Sequence, residues 1–304
     1  MRVEVVVTSC KVCGGHRTRS VSHFKVKKNP TYIRCGKCAS AYSMMQISIL
    51  ALSAYYNGYY TAENLVIPKH IKKSISKTVA TFSRFRTASN SICDLGYGAG
   101  ALLEIAQEDG WRCSGSEYSP EAIEIGKVNG WDVHEGDLGD EDLSGPFDVI
   151  TIVETLEHVQ NPHELISNAS VRLRRGGLIY GTTPNGRSLN SFLLGEEWSM
   201  FSFPEHLNLM SKKGIEILLL SNGFTNIEIH SQGINPHDII RKAKNIFSKG
   251  QHLKSRDKSR VEFGYQLVEM FSANWFMRFL KRLVNCWLSL LGIGDTLVFR
   301  AIRK

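Results

Sequence analysis

The chain has 304 residues, of which 42% are hydrophobic and 22% are charged. These proportions are those of a folded globular protein, so they exclude a collagen, a low-complexity chain and wholesale disorder. The longest charge-free stretch near the C-terminus, residues 283–294, is too short to span a bilayer, and the opening MRVEVVVTSC lacks the apolar core of a signal peptide. We therefore expect a soluble, cytoplasmic protein.

The net charge of +8 is unevenly distributed along the chain. Residues 1–90 contain 15 Lys and Arg against 2 Asp and Glu, residues 91–235 contain 8 against 22, and residues 236–304 contain 14 against 5. This segregation predicts separate parts. The basic ends either bind an anionic partner such as nucleic acid or a membrane surface, or they neutralise the acidic centre of the same chain.

Four of the seven cysteines form two Cys-x2-Cys pairs separated by 21 residues: Cys10, Cys13, Cys35 and Cys38. Two such pairs can supply four thiolates to one tetrahedral zinc ion, and four filled positions leave no open site for catalysis. Gly14 and Gly36 would allow the tight turns that the pairs require. The pattern predicts a structural Zn²⁺ ribbon over residues 1–42. The remaining cysteines, Cys93, Cys113 and Cys286, lie in apolar contexts and are expected in the core.

The elements that follow the ribbon change character near residue 91. Residues 43–90 are predicted to form a helical linker or cap with a basic amphipathic helix over 69–88. From residue 91 onward strands and helices alternate, which predicts an α/β domain with a doubly wound, mostly parallel sheet over 91–304. The expected strands cover 91–95, 112–117, 132–135, 147–153, 178–182, 224–230 and 296–302, with helices over 101–109, 163–173 and 212–221 and a further helix opening at Ser119.

A helical insertion is expected at 236–294, before the last strand. Within it, residues 263–291 alternate apolar and basic side chains at helical spacing, which predicts a hairpin of two helices. Such a pair can pack on its own domain, form a homodimer interface, close over an active site or lie on a membrane surface. We favour packing or dimerisation over peripheral membrane contact.

A glycine-rich loop follows the first strand of the α/β domain and reads Asp94-x-Gly96-x-Gly98-x-Gly100. Glycines at this point let the chain turn tightly from strand to helix and approach a ligand closely. The same letters partly fit a dinucleotide fingerprint, and both interpretations require an acidic residue for a ribose about 20 positions later; Glu117 supplies it. Asp94 separates the two, because a carboxylate there repels a pyrophosphate but can hold an ammonium group.

These residues resemble the first motif of class I S-adenosylmethionine-dependent methyltransferases, which are Rossmann-like. The resemblance covers residues 91–232. It includes the loop 116–120, the segment 136–138, the strand 147–150 with the loop 154–159, and the turn 173–177. It implies that Asp94 and Gly96 to Gly100 hold the methionine end of S-adenosyl-L-methionine, that Glu117 holds the ribose, and that Asp137 and Leu138 contact the adenine.

More narrowly, the segments 182–185 (TTPN) and 203–208 (FPEHLN) resemble a bacterial subfamily that carries an N-terminal zinc ribbon. Its members act on sugars, polysaccharides, lipids or small metabolites, which implies a small-molecule or glycan acceptor. The chain departs from the subfamily at Tyr97, where many members have Cys; we expect this position to be permissive.

An alcohol acceptor would need a base, because a hydroxyl is a poor nucleophile until its proton leaves. Histidine suits this role near neutral pH. His206 is the first candidate, since it lies where a substrate lid is expected and follows Glu205, which would orient it. His158 is the second candidate, although the Glu157–His158 pair more simply ties down its own loop.

Three other functions compete with this interpretation. A nucleic-acid methyltransferase would use the ribbon and the basic ends to bind RNA, but the loop after residue 153 lacks the Asn/Asp-Pro-Pro-aromatic pattern typical of base methylation, so nucleic acid is not the expected partner. A binding protein that keeps only the cofactor fold is disfavoured by the complete set of motifs. A dehydrogenase is disfavoured by Asp94 together with Gly100.

Overall fold

The computed structural model describes residues 9–15, 32–45, 47, 55, 67–136, 145–235, 238–239 and 275–304. Two predictions fall outside these residues: the first helix of the 263–291 hairpin, and the adenine-contacting residues Asp137 and Leu138.

The described elements follow one another in a regular alternation after residue 91. The strands are β1 Tyr32–Arg34, β2 Ala41–Ser43, β3 Ser91–Leu95, β4 Arg112–Glu117, β5 Asp132–Glu135, β6 Phe147–Val153, β7 Leu173–Pro184, β8 Asn208–Leu209, β9 Phe224–Gln232 and β10 Thr296–Arg303. The helices are α1 Lys69–Ala80, α2 Ala101–Glu108, α3 Pro120–Val128, α4 Pro162–Arg172, α5 Leu189–Leu194, α6 Lys212–Ser221 and α7 Trp275–Leu291, with 3-10 turns at Ser83–Phe85 and Gly195–Glu197.

Seven strands form the central sheet in the order β5-β4-β3-β6-β7-β10-β9. The strands β5, β4, β3, β6 and β7 are parallel to one another, whereas β10 pairs antiparallel with both β7 and β9. The central strand β3 is buried along its whole length and β6 along all but its last residue, as expected when helices cover both faces of a parallel sheet. The predicted Rossmann-like, mostly parallel fold is confirmed.

The ribbon is joined to the α/β domain by a second, small sheet in the order β1-β2-β8. Its strand β2 pairs antiparallel with β8, with Ala41 opposite Leu209 and Tyr42 opposite Asn208. Below this pairing, the Ser211 hydroxyl donates to the carbonyl of Cys38. Backbone pairing across this junction fixes the ribbon against the loop that precedes β8.

The structure corrects four local predictions. The basic helix ends at Ala80 and is followed by a turn, instead of continuing to residue 88. Strand β7 already begins at Leu173, so the predicted turn at 173–177 lies inside a strand, with a register shift in its pairing to β6. In the second Cys pair the positive φ falls on Ala39 (+64°), not on Gly36. Cys286 is exposed on α7, because that helix turns only one face to the sheet.

Helix α7 packs on the sheet through Leu288, whose carbonyl accepts a hydrogen bond from the Ser231 hydroxyl of β9. Its other face exposes apolar side chains, among them Phe279, Trp287 and Leu290. Among the described helices, none is long and apolar enough to cross a membrane. The homodimer and the peripheral membrane contact remain predictions.

Candidate functional site

The glycine loop connects β3 to α2 through three residues with positive φ: Gly96 (+72°), Gly98 (+54°) and Gly100 (+76°). Side chains are also excluded by space. A Cβ on Gly96 would lie 2.6 Å from Thr155, and one on Gly100 would lie 2.5 Å from the ring of Trp131. Both conformation and packing therefore require glycine at these two positions.

Two buried carboxylates flank the glycine loop. Asp94, at the end of β3, is 2% exposed and accepts a hydrogen bond of 2.7 Å from the Thr151 hydroxyl. Burial, together with the nearby charge of Glu117, raises the pKa of Asp94 to about 7, although the hydrogen bond from Thr151 acts in the opposite direction. Glu117, at the end of β4, accepts hydrogen bonds from the backbone N–H groups of Gly98 (2.9 Å) and Tyr118 (2.8 Å). The structure thus places both predicted acids beside the glycine loop, at the carboxyl ends of neighbouring parallel strands, where such sheets bind ligands.

Tyr97 fills the space beneath the loop and is not at a permissive position. Its hydroxyl donates to the carbonyl of Ala122 (2.9 Å), and its ring contacts Trp131 edge-on. Two glycines provide the space, since a Cβ on Gly115 or Gly126 would lie 2.5 or 2.8 Å from the Tyr97 side chain. The sequence signal for this packing is the glycine inside each of the neighbouring elements, Gly115 in β4 and Gly126 in α3.

The loop after β6 lies directly against the glycine loop. Thr155 donates a hydrogen bond of 3.0 Å to the carbonyl of Leu95, which precedes Gly96. Glu154, where this loop begins, has a positive φ of +51° and accepts a hydrogen bond from the Thr182 hydroxyl (2.7 Å). Its side chain is exposed, yet desolvation by its many neighbours raises its pKa. An exposed carboxylate among many neighbours is expected on the wall of a cleft.

Glu157, from the same loop, holds the segment that carries His206. The Glu157 carbonyl accepts hydrogen bonds from the backbone N–H groups of Leu207 (2.7 Å) and Asn208 (3.0 Å). Its carboxylate is almost fully buried and accepts a hydrogen bond of 2.9 Å from the Thr183 hydroxyl of β7. The loop after β6 and the loop before β8 are therefore joined at one residue.

This junction brings both predicted histidines together. The rings of His158 and His206 contact each other edge-on, with centroids 5.0 Å apart. His158 Nδ1 lies 2.7 Å from the carbonyl of Glu205, and His206 Nδ1 lies 2.8 Å from the carbonyl of Met200. Burial lowers the pKa of both imidazoles, that of His158 to about 4 with a further contribution from His206, so both rings are neutral at pH 7.

Glu205 contributes to this arrangement through its backbone, since its carbonyl faces His158. Its carboxylate lies 3.3 Å from the Ser202 hydroxyl. The carbonyl of Met200 occupies the orienting position at His206 Nδ1 that we had expected Glu205 to fill. Tyr32 of the ribbon donates a hydrogen bond of 2.6 Å to the carbonyl of His206, a contact that no sequence pattern predicts.

The four ribbon cysteines converge as the spacing predicts. The Sγ atoms of Cys10 and Cys38 lie 3.8 Å apart and those of Cys13 and Cys35 lie 3.7 Å apart. All four sulfur atoms fall within 4.8 Å of one another. Zinc–sulfur bonds of about 2.3 Å in a tetrahedron place sulfur atoms about 3.8 Å apart, so the four side chains fit one zinc ion.

The two Cys pairs also have matching backbone turns. The carbonyl of Cys10 accepts from the N–H of Gly14, and the carbonyl of Cys35 accepts from the N–H of Ala39, both at 2.8 Å. Gly14 and Ala39 occupy equivalent positions with φ of +63° and +64°.

The doubly wound sheet, with its glycine loop and its two flanking carboxylates, defines an S-adenosylmethionine-dependent methyltransferase of class I. A family model described as a methyltransferase domain matches residues 68–229. This match covers more than half of the chain, so the protein belongs to that family.

Among the curated relatives are ubiquinone biosynthesis O-methyltransferases. The protein of that name from Haemophilus ducreyi is 27% identical over 164 residues, which cover 49% of this chain and 66% of the relative. The one from Colwellia psychrerythraea is 32% identical over 34% of this chain and 45% of its own length. The one from Hydrogenovibrio crunogenus is 24% identical over 66% and 80%. The match thus spans about half to four fifths of these relatives.

Solved structures with a similar fold share little sequence with the chain. A SAM-dependent methyltransferase from Archaeoglobus fulgidus aligns with a TM-score of 0.48 and 15% identity, covering 76% of this chain and 94% of the other. Magnesium protoporphyrin IX methyltransferase from Synechocystis, solved with bound SAH, aligns with a TM-score of 0.46 and 13% identity, covering 85% and 89%.

Proposed function

We propose that the protein transfers a methyl group from S-adenosyl-L-methionine to a hydroxyl group of a small metabolite, a sugar or a lipid-linked glycan. The observation that carries this proposal is the cluster of Glu157, His158 and His206. The first two lie on the loop after β6, which contacts the glycine loop through Thr155, and the carbonyl of Glu157 joins the His206 segment to that loop. An acceptor oxygen at this cluster would lie beside the methionine end of the cofactor. The curated relatives named as O-methyltransferases support oxygen as the acceptor atom.

In this proposal the carboxylates beside the glycine loop bind the cofactor. Asp94 holds the ammonium group of the methionine end, and the backbone from Gly96 to Gly100 surrounds it. Glu117 binds the ribose hydroxyls; its carboxylate is already oriented by the N–H groups of Gly98 and Tyr118. Asp137 and Leu138 bind the adenine. The enzyme's main contribution is to position the acceptor against the electrophilic methyl group and to exclude water.

His206 takes the hydroxyl proton in the simplest form of this proposal, and His158 assists it. Because each Nδ1 faces a backbone carbonyl, which can only accept, the proton resides on Nδ1 and each Nε2 carries a lone pair. Burial keeps both imidazoles neutral, which is the protonation state that a base requires.

The test is an incubation of the purified chain and methyl-labelled cofactor with cell extracts separated into small-molecule, glycan, lipid and RNA fractions. We expect label in one of the first three fractions, and a loss of about 100-fold or more in turnover for His206→Ala. The variant His230→Ala, at an exposed position on β9, should keep its activity. Label that appears only in RNA would overturn the proposed acceptor class, and full turnover by His206→Ala would overturn the role of His206.

We also propose that Cys10, Cys13, Cys35 and Cys38 bind one structural Zn²⁺, and that the ion supports catalysis from a distance. The ribbon holds the His206 segment through Tyr32 and through the β2–β8 pairing. Removing zinc with a chelator should therefore lower methyl transfer while cofactor affinity is retained. The metal content of the protein, measured by mass spectrometry, should fall from one zinc to none in Cys35→Ser. Unchanged zinc content in that variant would contradict the proposal.

A further inference from the structure

Two threonines four positions apart, Thr151 in β6 and Thr155 in the loop that follows it, donate hydrogen bonds to the segment that opens the glycine loop. The Thr151 hydroxyl donates to Oδ1 of Asp94 at 2.7 Å. The Thr155 hydroxyl donates to the carbonyl of Leu95 at 3.0 Å, and the carbonyl of Gly96 lies 3.4 Å away. The first hydrogen bond contacts the carboxylate that is proposed to hold the ammonium group, and the second contacts the backbone beside it.

The register of the sheet gives Asp94 one neighbouring side chain that can donate. Asp94 of β3 pairs with Thr151 of β6 on one side and with Gly115 of β4 on the other. Gly115 has no side chain, and a Cβ there would lie 2.5 Å from the ring of Tyr97, so this position has no room for a second donor. The Thr151 hydroxyl is therefore the side-chain donor that the neighbouring strands provide for the Asp94 carboxylate.

A purely structural role for Thr151 would be satisfied by a main-chain acceptor, because a buried hydroxyl in an apolar strand needs only one partner. The carbonyl of Cys93 lies 3.4 Å from the Thr151 hydroxyl, but the contact of 2.7 Å with the Asp94 carboxylate is much shorter. A hydrogen bond donated to a carboxylate favours its charged form. The pKa of Asp94 is therefore lower than burial alone would make it.

We propose that Thr151 and Thr155 are positioning residues for the methionine end of S-adenosyl-L-methionine, with separate roles. Thr151 orients the Asp94 carboxylate and favours its ionised form, whereas Thr155 fixes the backbone that passes the ligand. Thr155 also packs against Gly96, where a Cβ would lie 2.6 Å from the threonine side chain. This inference rests on the proposed role of Asp94 in holding the ammonium group of the cofactor.

The other titratable groups near Asp94 are Glu117, at the end of β4, and the thiols of Cys93 and Cys113. Burial raises the pKa of both thiols, that of Cys113 to about 12, so both are neutral below pH 8. The negative charge of Glu117 raises the pKa of Asp94, and it is present in the parent protein and in a Thr151 variant alike. A difference in pH dependence between the two proteins therefore reports on the hydroxyl of Thr151.

The test compares Thr151→Val with Thr155→Val, since valine keeps the branched shape of threonine and lacks the hydroxyl. Affinity for S-adenosyl-L-methionine is measured by calorimetry from pH 5.5 to 7.5. Thr151→Val should bind about tenfold more weakly than the parent protein at pH 5.5 and about threefold more weakly at pH 7.5, because its Asp94 ionises at a higher pH. Thr155→Val should bind about fivefold more weakly at every pH, because the loop backbone does not titrate.

Two further variants serve as controls. Thr151→Ser keeps the hydroxyl and should restore the pH profile of the parent protein. Thr225→Val changes a threonine of β9, at the far edge of the sheet, and should bind the cofactor as the parent does. Circular dichroism and thermal unfolding verify that each variant is folded; if Thr151→Val is not, Thr151→Ala takes its place.

A folded Thr151→Val protein with unchanged affinity, or with the same loss of affinity at every pH, overturns the role of Thr151. Unchanged affinity of Thr155→Val overturns the role of Thr155. A parent protein that binds the cofactor while both valine variants match it removes this inference and leaves the proposed function intact. A folded parent protein that does not bind S-adenosyl-L-methionine removes the proposed function itself.

Discussion

The parallel strands of the central sheet carry buried carboxylates at both of their ends, called here the amino edge and the carboxyl edge, and the two ends use them in opposite ways. At the amino edge of β6, Asp148 is fully buried and accepts hydrogen bonds from Thr87 (2.6 Å), Arg174 (2.7 Å) and Ser89 (2.9 Å). At the carboxyl edge, Asp94 is equally buried but accepts one described side-chain hydrogen bond, from Thr151.

This difference is visible in the pKa values. Burial tends to raise the pKa of Asp148, but the hydrogen bonds from Thr87, Arg174 and Ser89 outweigh it and lower the value to about 2. At Asp94 burial dominates and the pKa rises to about 7. The hydrogen-bonded carboxylate at the amino edge therefore stabilises the fold, whereas the carboxyl group of Asp94 at the carboxyl edge is available to bind a ligand of opposite charge.

The largest effect is expected from Asp148→Asn, which should lower the free energy of unfolding by about 3 kcal/mol because it leaves Arg174 without its buried partner. Urea denaturation measures this. The control is Asp109→Asn, which removes an exposed partner of Arg86 and should cost less than about 0.5 kcal/mol. Equal losses of unfolding free energy in the two variants would show that the buried carboxylate at the amino edge stabilises the fold no more than an exposed ion pair does.

Replacing Asp94 by Asn should change the free energy of unfolding in the opposite direction. Its folded-state pKa lies above that of an unfolded Asp, so the native state binds an extra proton and loses stability as the pH rises from about 4 to 7. At pH 8 the change Asp94→Asn removes this penalty and should raise the free energy of unfolding of the ligand-free protein by about 2 kcal/mol. The same variant should bind S-adenosyl-L-methionine at least tenfold more weakly by calorimetry. A destabilised variant would show that Asp94 is a structural residue.

Cofactor affinity should depend on pH for the same reason. Binding an ammonium group requires the Asp94 carboxylate, so below its pKa of about 7 a proton must leave on binding. We expect the dissociation constant of S-adenosyl-L-methionine to fall by about tenfold between pH 5.5 and 7, as measured by calorimetry. The profile of Asp94→Asn should be flat over this range, and a flat profile for the parent protein would contradict the assignment.

The smallest expected effect concerns backbone strain at the carboxyl edge. Glu154 has a φ of +51°, which costs a residue with a Cβ about 1 kcal/mol. The change Glu154→Gly should recover part of this, a gain of about 0.5 to 1 kcal/mol in thermal or urea unfolding. Asn90, at the amino edge, has a similar φ of +48°, but asparagine tolerates it and its side-chain amide donates to the carbonyl of Gly110, so Asn90→Gly should give no gain in stability. Similar gains in unfolding free energy for Glu154→Gly and Asn90→Gly would show that backbone strain is not specific to the carboxyl edge.

The parts of the molecule that follow local patterns were predictable. Strands β3, β4, β5 and β6 have the predicted bounds, because an unbroken apolar or alternating run between turn residues specifies a strand. The bounds of β7 and α1 were wrong. Gly176 suggested a turn, but Leu173 already pairs with β6, and strand pairing is not visible in local propensity. The helical spacing of α1 continues past Ala80, whereas the chain there forms a 3-10 turn at Ser83–Phe85. The buried position of Tyr97 was also missed, because it depends on glycines in β4 and α3.

The amino-acid sequence by itself determined the class of protein, the glycine loop and the four-cysteine cluster, because each depends on residues close together in the chain. Only the tertiary structure decided how His206 meets His158 and Glu157. Each contact that holds His206 there involves main-chain groups. The N–H groups of Leu207 and Asn208 donate to the carbonyl of Glu157. The carbonyl of Met200 accepts from His206 Nδ1, and the carbonyl of His206 accepts from the hydroxyl of Tyr32. Because nearly every residue has these main-chain groups, the contacts leave no recognisable pattern of residue types in the sequence.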